Sequence, residues 1–267
     1  MGTDPLSLVV SVYIAAAVLM AGLWVLQLWL RNASVADVGF CAGLMAAVIW
    51  YAQAAAGDTE RKLLMVLLVC LYAGRLGSFI LLNRIVGKTE DPRYQRLRHE
   101  WGASERLLMF GYFQLQAAAV AAFSLPFLVV IQNPRPAFGL HELAGVLIWL
   151  VAVWGEAIAD WQLARFRSKP WNRERVCREG LWYCSRHPNY FFEWLHWWSY
   201  VVMALGAPGW PLTLLGPAGM GWALVNVTGI PWAERQALHT RGEEYRDYQR
   251  TTSAFVPWWP KRRVTRH

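Results

Sequence analysis

The sequence predicts an all-α integral membrane protein with seven transmembrane helices, and two observations carry that prediction. The first is apolar length. The chain has 267 residues, of which 56% are hydrophobic and only 16% charged. A soluble domain does not need apolar runs of about 20 residues, the length that crosses a bilayer. Seven such runs occur, at roughly 6–30, 35–56, 63–83, 107–131, 140–163, 190–206 and 210–231. The second observation is where the cations fall. Seven spans put residues 31–34, 84–106, 164–189 and the tail from 232 on one side, and this set holds 22 of the 26 Lys and Arg. The positive-inside bias makes that side cytoplasmic, with the N-terminus periplasmic and the C-terminus cytoplasmic. An even number of spans would separate the basic tail from the other basic loops. The 17 Trp and 10 Tyr suit interfacial belts, because their rings are apolar and their tips polar.

The same topology accounts for most of the net charge of +8, together with anionic lipid headgroups. Nucleic acid is therefore not an expected partner. The basic clusters at 165–178 and 235–250 are the ones left over for a ligand. Four cysteines without a CxxC pair imply neither a disulfide framework nor a zinc site, and no metal is expected. No long linker interrupts the spans, so residues 1–267 read as one domain, with a cofactor-binding half at about 140–260. The charged stretch 91–102 is amphipathic and suits the cytoplasmic interface. Residues 232–250 are polar and helix-permissive, broken at Gly242, and Phe255–Pro260 place aromatics at headgroup level.

Three constellations bear chemistry. In the fifth run Glu156 and Asp160 are four residues apart and share a helix face. Arg167 follows seven residues later on about the same face, which leads to Arg165, Lys169, Arg173 and Arg175. Acids near a helix end commonly pair with a neighbouring Arg. The functional alternative is that the acids hold ribose hydroxyls or an amide while the arginines clamp phosphates. An Arg-rich lining is also how a protein accepts the extra 2′-phosphate of NADP.

The second constellation is Arg186, His187, Asn189, Tyr190 and Glu193. Pro188 suits the first turn of a helix, whose positive end would face an anion. The third is a polar set within the spans: Asp37, Gln53, Tyr72, Arg75, Asn83 and Arg84. Ionisable residues at membrane depth are functional candidates by default. An Asp37–Arg75 ion pair that merely ties two helices is the structural alternative. The chemical one has Tyr72 donating its hydroxyl proton to a ketone oxygen, assisted by an acid such as Asp37. Glu193-Trp-Leu-His196 has di-iron spacing but no matching second pair, and the Gly-rich 216–221 follows no strand.

Taken together these residues resemble the membrane steroid 5-alpha-reductase family, including its bacterial members. The match rests on Asp160-Trp-Gln-Leu-Ala-Arg-Phe-Arg167 with Lys169-Pro170, Gly180-Leu181 and Asn189-Tyr-Phe-Phe-Glu193. Further matches are Tyr72-Ala-Gly-Arg75 with Leu81-Leu-Asn-Arg84, and the tail Glu243-Glu-Tyr-Arg-Asp-Tyr248 with Ala254-Phe-Val-Pro257. The resemblance implies seven spans and NADPH-dependent reduction of the C=C bond of a lipophilic 3-oxo-4-ene steroid or similar isoprenoid enone, in a bacterial inner membrane. It makes Arg75, Asp160, Arg167, Asn189 and Glu193 cofactor contacts, with Arg84, Glu156, His187, Glu234, Arg235 and Tyr245 as further candidates. It makes Tyr72 the group that polarises the substrate carbonyl, with Asp37 first and Gln53 second as its partner. Glu156 departs from the family's usual Asn. The Arg186-His-Pro-Asn-Tyr190 box followed by Glu193 also resembles integral-membrane methyltransferases of the isoprenylcysteine and phospholipid type, which use S-adenosylmethionine. Their fewer spans and phosphate-free cofactor fit this chain's arginines less well.

Overall fold

The computed structural model describes residues 4–135, 139–172 and 174–261. Arg173 of the basic cluster and both chain ends, Met1 and His267, lie outside the described residues. Among the described residues the chain is helical, with a lone β-bridge between Ser185 and Ser253. It divides into two compact units, 1–142 with 203–215 and 143–202 with 216–267.

The first unit is built on α1 (Pro5–Leu30), α2 (Val35–Ala54), α3 (Thr59–Ile80), α4 (Pro92–Trp101) and α5 (Glu105–Ile131). Capping chemistry sets the helix starts. The carboxylates of Asp4, Asp58 and Asp91 accept first-turn amides, and Pro5 and Pro92 occupy first-turn positions where no N–H is needed. Along α1, Leu8, Val12, Ala16 and Met20 are buried, whereas Leu6, Val10, Ile14 and Val18 are exposed. Both sets repeat every four residues, so one face packs inward and the other is left for hydrocarbon. Gly57 turns the chain between α2 and α3 at φ +153°, and a Cβ there would lie 2.1 Å from the Ile131 carbonyl oxygen. Only glycine permits that approach. After α3 the chain winds into a π-helical turn, Leu81–Ile85, before the amphipathic α4.

One buried ion pair organises this unit. Arg61, 1% exposed, donates to Glu142 Oε1 at 2.9 Å, to the Asn133 carbonyl at 2.7 Å and to the Arg135 carbonyl at 3.1 Å. The start of α3 is thereby fixed to the segment that follows α5.

The second unit contains most of α6 (Leu140–Ser168), the single turn α7 (Leu181–Cys184), most of α8 (Pro188–Ala204) and α9 (Leu215–Trp222), and α10 (Ile230–Thr251). At Gly155 a Cβ would meet the Phe192 ring at 2.5 Å, so α6 and α8 pack backbone to ring there. Trp194 donates its indole N–H to the Pro217 carbonyl at 3.0 Å, joining α8 to α9. α10 breaks at Gly242, φ +50°, where the sequence places its interruption.

Among the described residues, five helices are long and apolar enough to cross a membrane: Pro5–Leu30, Val35–Ala54, Thr59–Ile85, Pro92–Ile131 and Leu140–Ser168. The chain is thus a multi-pass membrane protein. The sixth apolar run forms α8, 17 residues long. The seventh becomes a 3₁₀ turn (Trp210–Leu214), α9 and a π turn (Ala223–Val227). Gly209, Pro211, Gly216, Pro217, Gly219 and Gly221 explain the interruption, because glycine and proline are the weakest helix formers.

Arg61→Ala would leave the Glu142 carboxylate buried without its guanidinium. A broken buried pair costs about 3–5 kcal/mol. The variant should melt well below the wild type in detergent; an unchanged melting temperature would contradict the role given to this pair.

Candidate functional site

In the second unit the loop before α8 is held by its neighbours in sequence and by the tail. Gly180, at φ +58°, lets the Gln162 side chain come within 2.3 Å of where a Cβ would stand, and Gln162 Oε1 accepts the Leu181 amide at 2.9 Å. Trp182 donates its indole N–H to the Ala159 carbonyl at 2.9 Å. From the other side, the Arg186 amide donates to the Ser253 carbonyl at 2.9 Å. Ser185 Oγ donates to the Phe255 carbonyl at 2.8 Å, and the Trp258 amide to the Cys184 carbonyl at 2.9 Å. Tyr248 of α10 donates its hydroxyl to the carbonyls of Trp182 and Ser185.

Two of the expected cofactor residues meet here. Asn189 Nδ2 donates to Asp160 Oδ1 at 3.1 Å. Glu156 and Glu193 are both buried, at 5% and 8% exposed, and Trp197 donates its indole N–H to Glu193 Oε1 at 3.4 Å.

A second group of expected residues gathers around Glu234. Arg186 Nε donates to Glu234 Oε1 at 2.7 Å, Gln249 Nε2 to Glu234 Oε2 at 2.7 Å, and the His187 ring approaches Oε1 at 3.4 Å. Tyr245 adjoins Arg186 in the same cluster, and the His187 ring stacks on Tyr190 at 5.4 Å between centroids. Partial burial alone would raise the Glu234 carboxyl. The hydrogen bonds from His187 and Arg186, the Arg186 charge and Gln249 outweigh it and hold the group at about 2. Burial lowers the His187 imidazole below its ordinary value, against the pull of Glu234. These side chains have their hydrogen-bonding capacity engaged within the protein, and they join the loop to α10.

The remaining cations sort by partner. Arg178 pairs with Asp247 at 2.9 Å, and Arg246 pairs with Glu243. Arg165 lies over the Trp161 ring, and Arg235 over the Trp232 ring at 4.7 Å while donating to the Pro231 carbonyl. Arg167 makes no ion pair with a carboxylate among the described residues, nor does Arg241, whose charge acts on it. Arg241 Nε donates to the Arg175 carbonyl at 2.9 Å, which ties the loop after α6 to α10. The sequence reading named the basic tail but not Arg241 or, as a contact, Arg186. The signal for Arg241 lay beside it, in Gly242, whose left-handed backbone turns α10 there.

The first unit holds the remaining candidates. Asp37 accepts from Tyr94 at 2.8 Å and Arg93 at 3.2 Å, with Arg84 at 3.8 Å. Its ion-pair partners are therefore Arg84 and Arg93 and not Arg75, which lies nine residues, about 13 Å of helix, from Arg84. Gln53 is exposed near the other end of α2 from Asp37. Tyr72, 1% exposed, and Arg75 lie one turn apart on α3. No group of three or more His, Cys, Asp or Glu among the described residues is placed to hold a metal ion.

The chain belongs to the family described as protein of unknown function (DUF1295), which it matches over residues 23–252. This is a membrane-protein family related to the steroid 5-alpha-reductases. No curated protein and no solved structure matches the chain.

The Glu234 cluster carries a pH signature. A carboxyl held at about 2 when folded, against an ordinary 4.5, stabilises the fold above about 4.5 and loses that contribution as pH falls toward about 2. His187, lowered from 6.5, adds a loss that begins below about 6.5. Melting temperature should therefore fall with acid in that order, and Glu234→Gln should flatten the lower part. Parallel curves for variant and wild type down to the most acidic point would show that the cluster does not hold this carboxyl down.

Proposed function

We propose that the chain is an NADPH-dependent membrane reductase that saturates the C=C bond of a lipophilic enone, such as a 3-oxo-4-ene steroid or an isoprenoid ketone. One observation carries the reading: Arg167 and Arg241 lie near each other without carboxylate partners among the described residues, and Arg167 stands two turns along α6 from Asp160 of the Asp160–Asn189 pair. Cations left unneutralised by the protein suit a ligand rich in phosphate, and their number suits the extra 2′-phosphate of NADPH. The family relationship points the same way.

NADPH would be held by Arg167 and Arg241 at its phosphates and by Asp160, Asn189 and Glu193 at hydroxyl or amide groups, and it supplies hydride to the β-carbon of the enone. The chain's own contribution is orientation, dryness and charge stabilisation. Tyr72 is the donor assigned to the substrate carbonyl, where a hydrogen bond gains most as negative charge develops on oxygen. The second reading is S-adenosylmethionine-dependent methyl transfer, favoured by the clamp between the 186–190 box and the tail carboxylate Glu234. That cofactor carries no phosphate, so it leaves the Arg167–Arg241 cluster without an anion. In topology the proposal keeps seven crossings in a bacterial inner membrane, with the N-terminus periplasmic and the C-terminus cytoplasmic, α8 and the broken 210–227 segment completing the set.

The purified protein should bind NADPH far more tightly than NADH, and Arg167→Ala and Arg241→Ala should each weaken NADPH about tenfold or more. Tyr72→Phe should keep NADPH binding and lose about 10²-fold in its oxidation by an enone such as progesterone. Equal affinity for the two dinucleotides, or tight S-adenosylmethionine binding with neither, would remove the reductase reading. Reporter fusions at the two chain ends test the topology, which predicts opposite sides of the membrane; same-side signals would end it.

A further inference from the structure

Residues 252–260, which follow α10, form a loop with two unlike faces. The Lys261 amide donates to the Thr251 carbonyl at 2.8 Å, so the two ends of the loop meet. Its inner face is held to the segment before α8. The Arg186 amide donates to the Ser253 carbonyl and the Trp258 amide to the Cys184 carbonyl, both at 2.9 Å. The Phe255 ring meets the rings of Phe191 and Trp194 of α8 at 5.9 and 5.7 Å between centroids. The outer face is the opposite. Trp258 is 72% exposed and Trp259 76%, and Val256 and Tyr183 are exposed with them. Pro257 and Pro260 stiffen the loop, so these indoles are presented at little cost in ordering. Large apolar groups gathered in one exposed patch mark a contact surface.

Depth identifies what the patch meets. Trp182 and Leu181 hydrogen-bond to Ala159 and Gln162, which sets residues 181–184 beside 159–162 of α6. The apolar run of α6 ends there, and Arg165 and Arg167 follow. Trp161, exposed at that level, carries the Arg165 guanidinium over its ring at 5.3 Å. Trp258, held to Cys184, stands at the same level. This is the boundary between hydrocarbon and headgroups, where an indole keeps its ring in an apolar layer and its N–H wet. We propose that loop 252–260 is a bilayer-docking surface whose partner is the headgroup–acyl boundary of the membrane, and that docking steadies the segment 180–189. The path from one to the other is short. Trp258 holds Cys184, Ser253 holds Arg186, and Arg186 also donates to the Thr252 carbonyl and to Glu234. Asn189, which meets Asp160, comes three residues later. The proposal needs no particular cofactor and stands apart from the reductase reading.

The test uses the full chain, one copy per nanodisc of phosphatidylcholine and phosphatidylglycerol, labelled with fluorotryptophan. Trp258→Ala and Trp259→Ala each remove one fluorine signal and so assign it. A spin label on the phospholipid headgroup should broaden both assigned signals. In the double variant, backbone amides in 180–189 and 252–261 should exchange with deuterium at least about tenfold faster than in wild type. Both indoles are mostly exposed on the protein, so a change of that size reports a partner outside it. Fluorine signals left sharp by the spin-labelled lipid, or equal exchange in variant and wild type, overturn the proposal. Protection that appears only in discs holding two copies also overturns it, because the patch then belongs to a second chain.

Discussion

The carboxylate of Glu234 accepts from Arg186 and Gln249 and adjoins the ring of His187, and the arrangement of the second unit depends on it. Arg186 also donates to the carbonyls of Gln249 and Thr252, so one guanidinium spans the loop, the end of α10 and the tail. Because the loop ends at Pro188, fixing it fixes where α8 begins, and with it Asn189 and Glu193. Holding Glu234 charged is what makes the clamp strong, since hydrogen bonds to an ionised acceptor are roughly twice as strong as neutral ones. The clamp also engages Arg186 and His187, which separates the cations that hold the protein together from those free to meet an anion.

That separation is what sequence alone does not reveal. Nothing in the sequence says which carboxylate, if any, each of Arg165, Arg167, Arg175, Arg178, Arg186, Arg235 and Arg241 meets. In the structure Arg178 and Arg186 are neutralised, Arg165 and Arg235 rest on indoles, and Arg167 and Arg241 stand together without a carboxylate. The partner of a long flexible side chain depends on which helices become neighbours, and no spacing rule encodes that. Asp37 shows the same limit. Its place near the start of a span was legible, but its partners Arg84 and Arg93 come from the π turn and from α4.

What was legible follows from local physics. Apolar length located α1, α2, α3, α5 and α6 closely, because a bilayer-crossing helix has a length set by the membrane. Asp160 and Asn189 were each expected at the cofactor, but their bond to one another joins two constellations that the sequence leaves separate. The run at 210–231 was read as one span on apolarity, and its glycines and prolines divide it into three short pieces. Composition reports that a segment avoids water; it does not report that the backbone winds evenly.

The central claim is that the basic cluster of the second unit exists for a phosphate-rich nucleotide. The most direct measurement is mass spectrometry of the small molecules that remain with the full chain after gentle purification from membranes. The account predicts NADPH or NADP⁺, present in wild type and lost from Arg167→Ala. Recovery of S-adenosylmethionine or its demethylated product in their place would contradict it.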